Sequence, residues 1–252
     1  MSNNNYIETL KFNISDDFRC FKKWQEIDIN LIKNSVNYIV GPNASGKTTL
    51  MHAIRAERHD LADYNKDLFD GMSNMEDSIM TSSGITIEGL DKFDQIFVLD
   101  SVDDDPLSFT NSATASGYIC GGGWEMAHLS KGQKALAMQS KFIKSLQNIT
   151  KFSIADYKAG KKYDKHPLII VDEVDEGLDI KMQSKFDIIM SNLATTYNAT
   201  LICICHNFVC PVCSLAGSFT PVFDLSDFKQ KTIGEYVEQQ TGLTVSISPI
   251  KK

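Results

Sequence analysis

Eight residues constrain the fold of this 252-residue chain more than any other stretch of it. Gly41-Pro42-Asn43-Ala44-Ser45-Gly46-Lys47-Thr48 fits the pattern G-x-x-x-x-G-K-[ST], and its flanks are the ones that pattern requires. Asn37-Tyr38-Ile39-Val40 reads as a short apolar strand running into the loop, and Leu50 to Arg55 reads as a helix leaving it, the helix starting after Gly46. A strand–loop–helix of this kind curls backbone N–H groups around phosphate oxygens, with glycine where the backbone must turn tightly. Lys47 is long enough to reach terminal phosphates. Thr48 supplies a hydroxyl that can ligate magnesium, and Thr49 beside it is a further candidate for binding the nucleotide.

A second segment completes the chemistry. Leu168-Ile169-Ile170-Val171 is a run of apolar, mostly β-branched residues, the signature of a strand buried on both faces in a parallel sheet. Asp172 and Glu173 follow it directly. Asp172 is placed to hold magnesium, directly or through water, and Glu173 to polarise a water beside the terminal phosphate.

With these two segments in place, the chain resembles the ABC-type ATPase superfamily. Leu129-Ser130-Lys131-Gly132-Gln133 is similar to the signature motif of that superfamily, with lysine in place of a glycine. Gly177-Leu178-Asp179 resembles its D-loop, and Ile202-Cys203-Ile204-Cys205-His206 resembles its last strand and switch histidine. Within the superfamily the likeness is closest to the SMC, Rad50 and RecF type of head. Phe18-Arg19-Cys20-Phe21 resembles the phenylalanine–basic–x–aromatic element of those heads, and Glu26-Ile27-Asp28-Ile29 the strand after it. The Gly-Pro-Asn start of the phosphate loop and Leu50 to Arg55 are also of that kind. The resemblance runs over most of residues 6–210.

The resemblance implies an α/β P-loop NTPase of ABC ATPase type, a mixed and parallel sheet core with a helical sublobe. It implies one domain over residues 1–252, with a nucleotide-binding lobe at about 1–100 and 165–252 and the signature sublobe at about 101–164. It implies ATP and Mg2+ as cofactors and an ATP-hydrolysing activity. Glu173 would act on the water, Lys47 on the phosphates, and His206 as a sensor. Ser130 and Asp179 would reach across to ATP held by a second copy, with Gly132 and Gln133 beside Ser130. Arg19 would join the residues of Gly41–Thr49 around the nucleotide. The partner implied is a second copy in an ATP-sandwiched homodimer.

The chain also departs from the family. Leu99 and Ser130 lie only about thirty positions apart with no heptad run between them, so no coiled-coil arm is expected. The family places a glutamine after the strand read here at Gln95 to Leu99. Asp100-Ser101 stand there instead, as candidates for that contact with magnesium or water, and the nearest glutamine, Gln95, is expected ahead of the strand. After His206 comes Cys210-Pro211-Val212-Cys213, a C-x-x-C pair with half the ligands of a zinc site. The rest would have to come from Cys20, Cys120 or a histidine elsewhere. Cys203 and Cys205 share one face of a strand and read as core.

The remaining elements follow from pattern. Strands are expected at Tyr6 to Ile14, Glu26 to Ile29, Ser35 to Val40, Thr86 to Glu88, Thr200 to Cys205 and Val222 to Leu225, with a last one at Gly242 to Val245. Helices are expected after Ser130, from Lys181 to Leu193, and from Ile233 to Gln240. Residues 58–84 are polar and carry no period. The lysines of 158–165 read as a solvated loop, with a nucleic-acid contact as the alternative.

Composition narrows the function classes. At 42% hydrophobic and 23% charged the chain is an ordinary globular protein, neither disordered nor fibrous. Its 25 basic against 32 acidic residues argue against a general nucleic-acid coat, while leaving room for a local basic patch. No apolar run nears the ~20 residues of a membrane span, the first residues do not read as a secretion signal, and six cysteines make no disulfide scaffold, so a reducing, cytoplasmic setting is expected. The leading expectation is an ATPase that acts on DNA or on a DNA-processing partner such as a nuclease. The alternative is an ATP-gated regulatory or defence-type switch controlling a separate effector protein. A transporter ATPase subunit fits less well, given Phe18–Phe21 and the missing loop glutamine.

Overall fold

The computed structural model describes residues 7–61, 84–100, 166–172, 180–196, 198–205, 211 and 220–244. The described residues form two sheets. A three-stranded antiparallel sheet has the order β2-β1-β4, from β1 (Ile7–Ile14), β2 (Gln25–Ile32) and β4 (Ile85–Glu88). A six-stranded sheet has the order β5-β6-β7-β3-β8-β9, from β3 (Val36–Val40), β5 (Phe93–Asp100), β6 (His166–Asp172), β7 (Thr200–Ile204), β8 (Pro221–Asp224) and β9 (Lys229–Thr232). Five of these strands are parallel, and β9 turns back antiparallel to β8. Three helices join them, α1 (Lys47–Leu61), α2 (Ile180–Thr196) and α3 (Ile233–Thr241). Among the described residues no helix is long and apolar enough to cross a membrane.

The sequence period explains which face each strand residue takes. In β1 and β2 every second side chain is buried, and the register sets Leu10 opposite Ile29 and Phe12 opposite Ile27, so apolar pairs stack on one face. In β3, β6 and β7 every residue is buried, because both faces are covered. Alternate residues then serve two separate cores. Ile39, Leu168, Ile170, Ile202, Ile204 and Phe223 join Leu50, Met51 and Ile54 of α1 and the inner face of the antiparallel sheet. Tyr38, Val40, Ile169, Val171, Leu201, Cys203 and Val222 join Met190, Leu193 and Ala194 of α2 and Ile233, Tyr236 and Val237 of α3. Cys203 and Cys205 are both buried in this second core, as their shared strand face predicts. Each fully buried Ile or Leu contributes roughly 2 kcal/mol. That repeated term holds α1 on one face and α2 and α3 on the other.

One polar residue pins the central strand. Asn37 is buried, accepts from the Ile32 N–H at 2.7 Å, and donates to the carbonyls of Ile32 at 3.1 Å and Leu201 at 3.1 Å. It fixes the turn before β3 and ties that turn to β7, so the strand that feeds the phosphate loop has a defined level in the sheet.

Several expectations change in extent. Helix α1 starts at Lys47 and runs to Leu61, into the polar stretch that shows no period. Strand β5 begins at Phe93, which puts Gln95 inside the strand rather than ahead of it. Residues 242–244 are not a strand: Gly242 takes φ 70° and caps α3, its N–H donating to the carbonyl of Glu238. Strand β9 was not expected at all.

Candidate nucleotide-binding site

The loop between β3 and α1 takes its shape from its glycines. Gly41 has φ 153° and Gly46 has φ 100°, both costly for an L residue. Gly46 is also hemmed in. A Cβ there would collide with the Phe21 ring and stand 2.6 Å from Cys20 Sγ. The loop closes with Ser45 N–H donating to the Pro42 carbonyl at 3.2 Å and Leu50 N–H to the Gly46 carbonyl at 2.9 Å, the first turn of α1. Lys47 is buried, and its Nζ donates to the carbonyls of Gly41 at 2.7 Å and Pro42 at 3.0 Å. These bonds fold the ammonium back over the loop's own opening.

A cavity of about 500 Å³ opens over this loop, lined by Asn43, Ala44, Ser45, Gly46, Lys47, Thr48 and Thr49 with Arg19 and Cys20. Arg19 and Cys20 come from the segment between β1 and β2. There Phe18 and Phe21 exchange backbone hydrogen bonds at 3.1 and 2.9 Å, which sets the two residues between them at the tip of a tight loop. The Arg19 guanidinium lies 5.3 Å from the centre of the Phe18 ring and donates from Nη1 to Thr49 Oγ1 at 3.5 Å. It brings a second cation to the cavity wall. Partial burial pushes the Cys20 thiol above its ordinary value, against the lowering pull of a backbone hydrogen bond and of Arg19.

Asp172 ends β6 at the same edge of the sheet. It pairs in register with Ile204, and Ile204 with Ile39, so Asp172 lies level with a residue two positions before Gly41. Two strand spacings of ~4.8 Å put its backbone about 10 Å from β3. Strand alternation turns its side chain to the face that carries α1, since Leu168 and Ile170 are on that face. The carboxylate is 1% exposed. A strand–loop–helix with left-handed glycines, a buried lysine, and a buried carboxylate at the carboxyl ends of parallel strands together decide the architecture. The chain has the P-loop NTPase fold.

A family model described as an AAA domain matches residues 16–57, the stretch from the Arg19 loop through most of α1. No curated protein matches the sequence. Among solved structures the chain is similar to a nucleotide-free ATP-binding cassette from an ABC transporter, at 16% identity over 92% of this chain and 94% of that one, TM-score 0.48. It is similar to an SMC head bound to the C-winged helix domain of ScpA, at 13% identity over 92% and 99%, TM-score 0.48. An SMC head domain from Thermotoga maritima is similar at 16% identity over 82% and 92%, TM-score 0.42.

Of the residues expected from sequence, Asn43 to Thr49 and Arg19 line the cavity, Gly41 and Pro42 lead into it, and Asp172 lies two strands away from β3, outside its lining. Asp100 ends β5 in register with Asp172, one strand further from the loop. Glu173, Asp179, Ser130, Gly132, Gln133, His206, Ser101, Cys210, Cys213 and the whole of the expected signature sublobe lie outside the described residues. Sequence reasoning missed Cys20 as a lining residue, although its place next to Arg19 in a four-residue loop would have found it. Among the described residues no three His, Cys, Asp or Glu gather as a metal cluster. A magnesium ion that takes most of its shell from nucleotide phosphates and water needs only one or two protein oxygens. Asp172 on the α1 face and Thr48 in the first turn of α1 are hard oxygen donors of that kind, and they fit it.

Proposed function

We propose that this chain binds ATP with Mg2+ over the Gly41–Thr48 loop, hydrolyses it, and closes as a head-to-tail homodimer around two nucleotides. The dimer would act on DNA or on a partner that processes DNA. The observation that carries the reading is the loop itself: two left-handed glycines, a buried Lys47 and a 500 Å³ cavity walled by Arg19.

In that reading the backbone N–H groups of the loop and the positive end of α1 bind the phosphates, and Lys47 releases its two carbonyls to pair with them. Arg19 binds a phosphate oxygen from the opposite wall. Thr48 and Asp172 would hold Mg2+, which would supply charge neutralisation on the phosphates. Glu173, one residue past Asp172, orients the water and takes its proton. His206, one residue past the described end of the β7 segment, reads the terminal phosphate. Ser130, Gly132, Gln133 and Asp179 of the second copy close the site from the other side, as the resemblance implies. The link to DNA rests on the resemblance of the Phe18–Phe21 element to the SMC, Rad50 and RecF type of head.

Isothermal titration with Mg·ATP tests the first step. Wild-type protein should bind, and Lys47→Ala should lose at least tenfold in affinity, because the charge that neutralises the phosphates is gone. Equal affinity would refute the assignment. Sedimentation of Glu173→Gln tests the assembly: a dimer in ATP and a monomer without it is expected, and a monomer in both would defeat it. An ATPase assay with single-stranded DNA, duplex DNA, RNA and no polymer tests the partner, with stimulation by DNA expected.

A further inference from the structure

The turn between β8 and β9 reaches the phosphate loop directly at Gly41 and, through Phe21, at Gly46. Leu225 opens that turn. Its N–H donates to the Val40 carbonyl at 2.9 Å, and its Cβ lies 3.2 Å from where a Cβ on Gly41 would stand. Phe228 closes the turn. Its ring centre is 6.5 Å from that of Phe21 at 52°, within the range of an aromatic pair, and it packs on the core that holds Phe21. Phe21 in turn is fully buried with its ring tip against Gly46. It also anchors, by its backbone bonds with Phe18, the loop tip that carries Arg19.

Phe228 holds this place at a cost. It has φ 57°, a left-handed conformation that is rare for a bulky aromatic residue. The surrounding bonds over-determine it. Lys231 Nζ donates to Asp224 Oδ2 at 2.8 Å, Asp227 Oδ2 at 3.0 Å and Gln239 Oε1 at 2.7 Å, and Asp224 accepts from the Ser226 N–H and hydroxyl, both at 2.8 Å. Strain kept by such a cage points to a role for the strained side chain.

We infer that Phe228 is a positioning residue for the nucleotide site: it presses Phe21 against Gly46 and so sets both the curl of the phosphate loop and the place of Arg19. The inference rests on the nucleotide-binding reading of the cavity. It adds a third segment of the chain, nearly two hundred residues from the loop, to the parts that fix phosphate geometry.

Phe228→Asn tests it, because asparagine tolerates the left-handed conformation while lacking the ring. The variant should melt, without nucleotide, within a degree or two of wild type or above it. Its Mg·ATP dissociation constant and its KM should rise roughly tenfold, as expected for a displaced phosphate grip, with kcat at saturating ATP little changed. Phe228→Tyr, which keeps the ring, should restore both. Wild-type affinity in Phe228→Asn would overturn the inference, and so would a loss of affinity that appears only together with a lowered melting temperature. If wild-type protein and Lys47→Ala alike fail to bind Mg·ATP, the nucleotide reading itself falls. Binding by wild type with an unaffected Phe228→Asn removes the positioning role alone.

Discussion

Gly46 is the residue on which the loop turns. Its φ of 100° and the crowding by Phe21 and Cys20 leave no room for a side chain. Gly46→Ala should therefore lower stability by about 2 kcal/mol or more, the left-handed penalty plus a clash, and abolish Mg·ATP binding. Urea unfolding and calorimetry would check both. Arg19→Ala should weaken ATP binding with less effect on stability, since Arg19 is an exposed residue and its bond to Thr49 is long, at 3.5 Å. At this scale the sequence was most legible. A strand–loop–helix of this shape needs glycine where its backbone turns, so Gly41 and Gly46 could be read directly, and Asp172 could be read as the end of a buried strand. Phe228 could not. Its importance lies in a contact made across the fold, and an aromatic residue beside a polar turn carries no mark of its partner.

The hairpin of β8 and β9 shows the same limit among the secondary elements. Lys229-Gln230-Lys231-Thr232 has no apolar alternation, because β9 is an edge strand that pairs through its backbone with β8 alone. Pattern therefore passed over it. The fully buried strands β3, β6 and β7 were found, since unbroken runs of apolar and β-branched residues have few other uses. Helix α3 was found by its apolar face and is fixed by a capping box at Thr232 and Glu235. Lys231 holds the hairpin closed. Burial of its ammonium works against the charge, but the hydrogen bonds to Asp224 and Asp227 outweigh burial and raise its pKa. Lys231→Met should leave two carboxylates facing each other and cost about 1–3 kcal/mol, seen as a lower melting temperature.

Across the whole molecule the two sheets are tied at the end opposite the phosphate loop. His166 heads β6, 1% exposed, with Nε2 3.0 Å from Glu8 Oε2 of β1 and 2.8 Å from Thr200 Oγ1 of β7, and its ring edge-on to Phe93. Burial lowers its pKa to about 4, with a smaller push from Lys33. The unfolded chain takes this proton near pH 6.5 and the folded one near 4, so stability is lost as pH falls through that window, by roughly 3 kcal/mol at most. Burial raises the pKa of Glu8, which works in the opposite sense at the low end of the window, where the folded state takes up that proton first. Wild type should thus melt lower at pH 5 than at pH 7, and His166→Gln should flatten that difference in a calorimetric scan. Sequence did not indicate this tie, because Glu8, His166 and Thr200 are far apart along the chain and meet only when the sheets stack.

Strand β7 stands between β3 and β6, so the phosphate grip and the Asp172 carboxylate are spaced by two rungs of backbone hydrogen bonds and by no side chain. A ruler made of peptide groups has a length that mutation scarcely alters. Side chains above and below the sheet can be exchanged, enlarged or trimmed, at a loss of melting temperature, while the gap between the two halves of the site keeps its width. Robustness to heat can then evolve on residues that leave this spacing untouched.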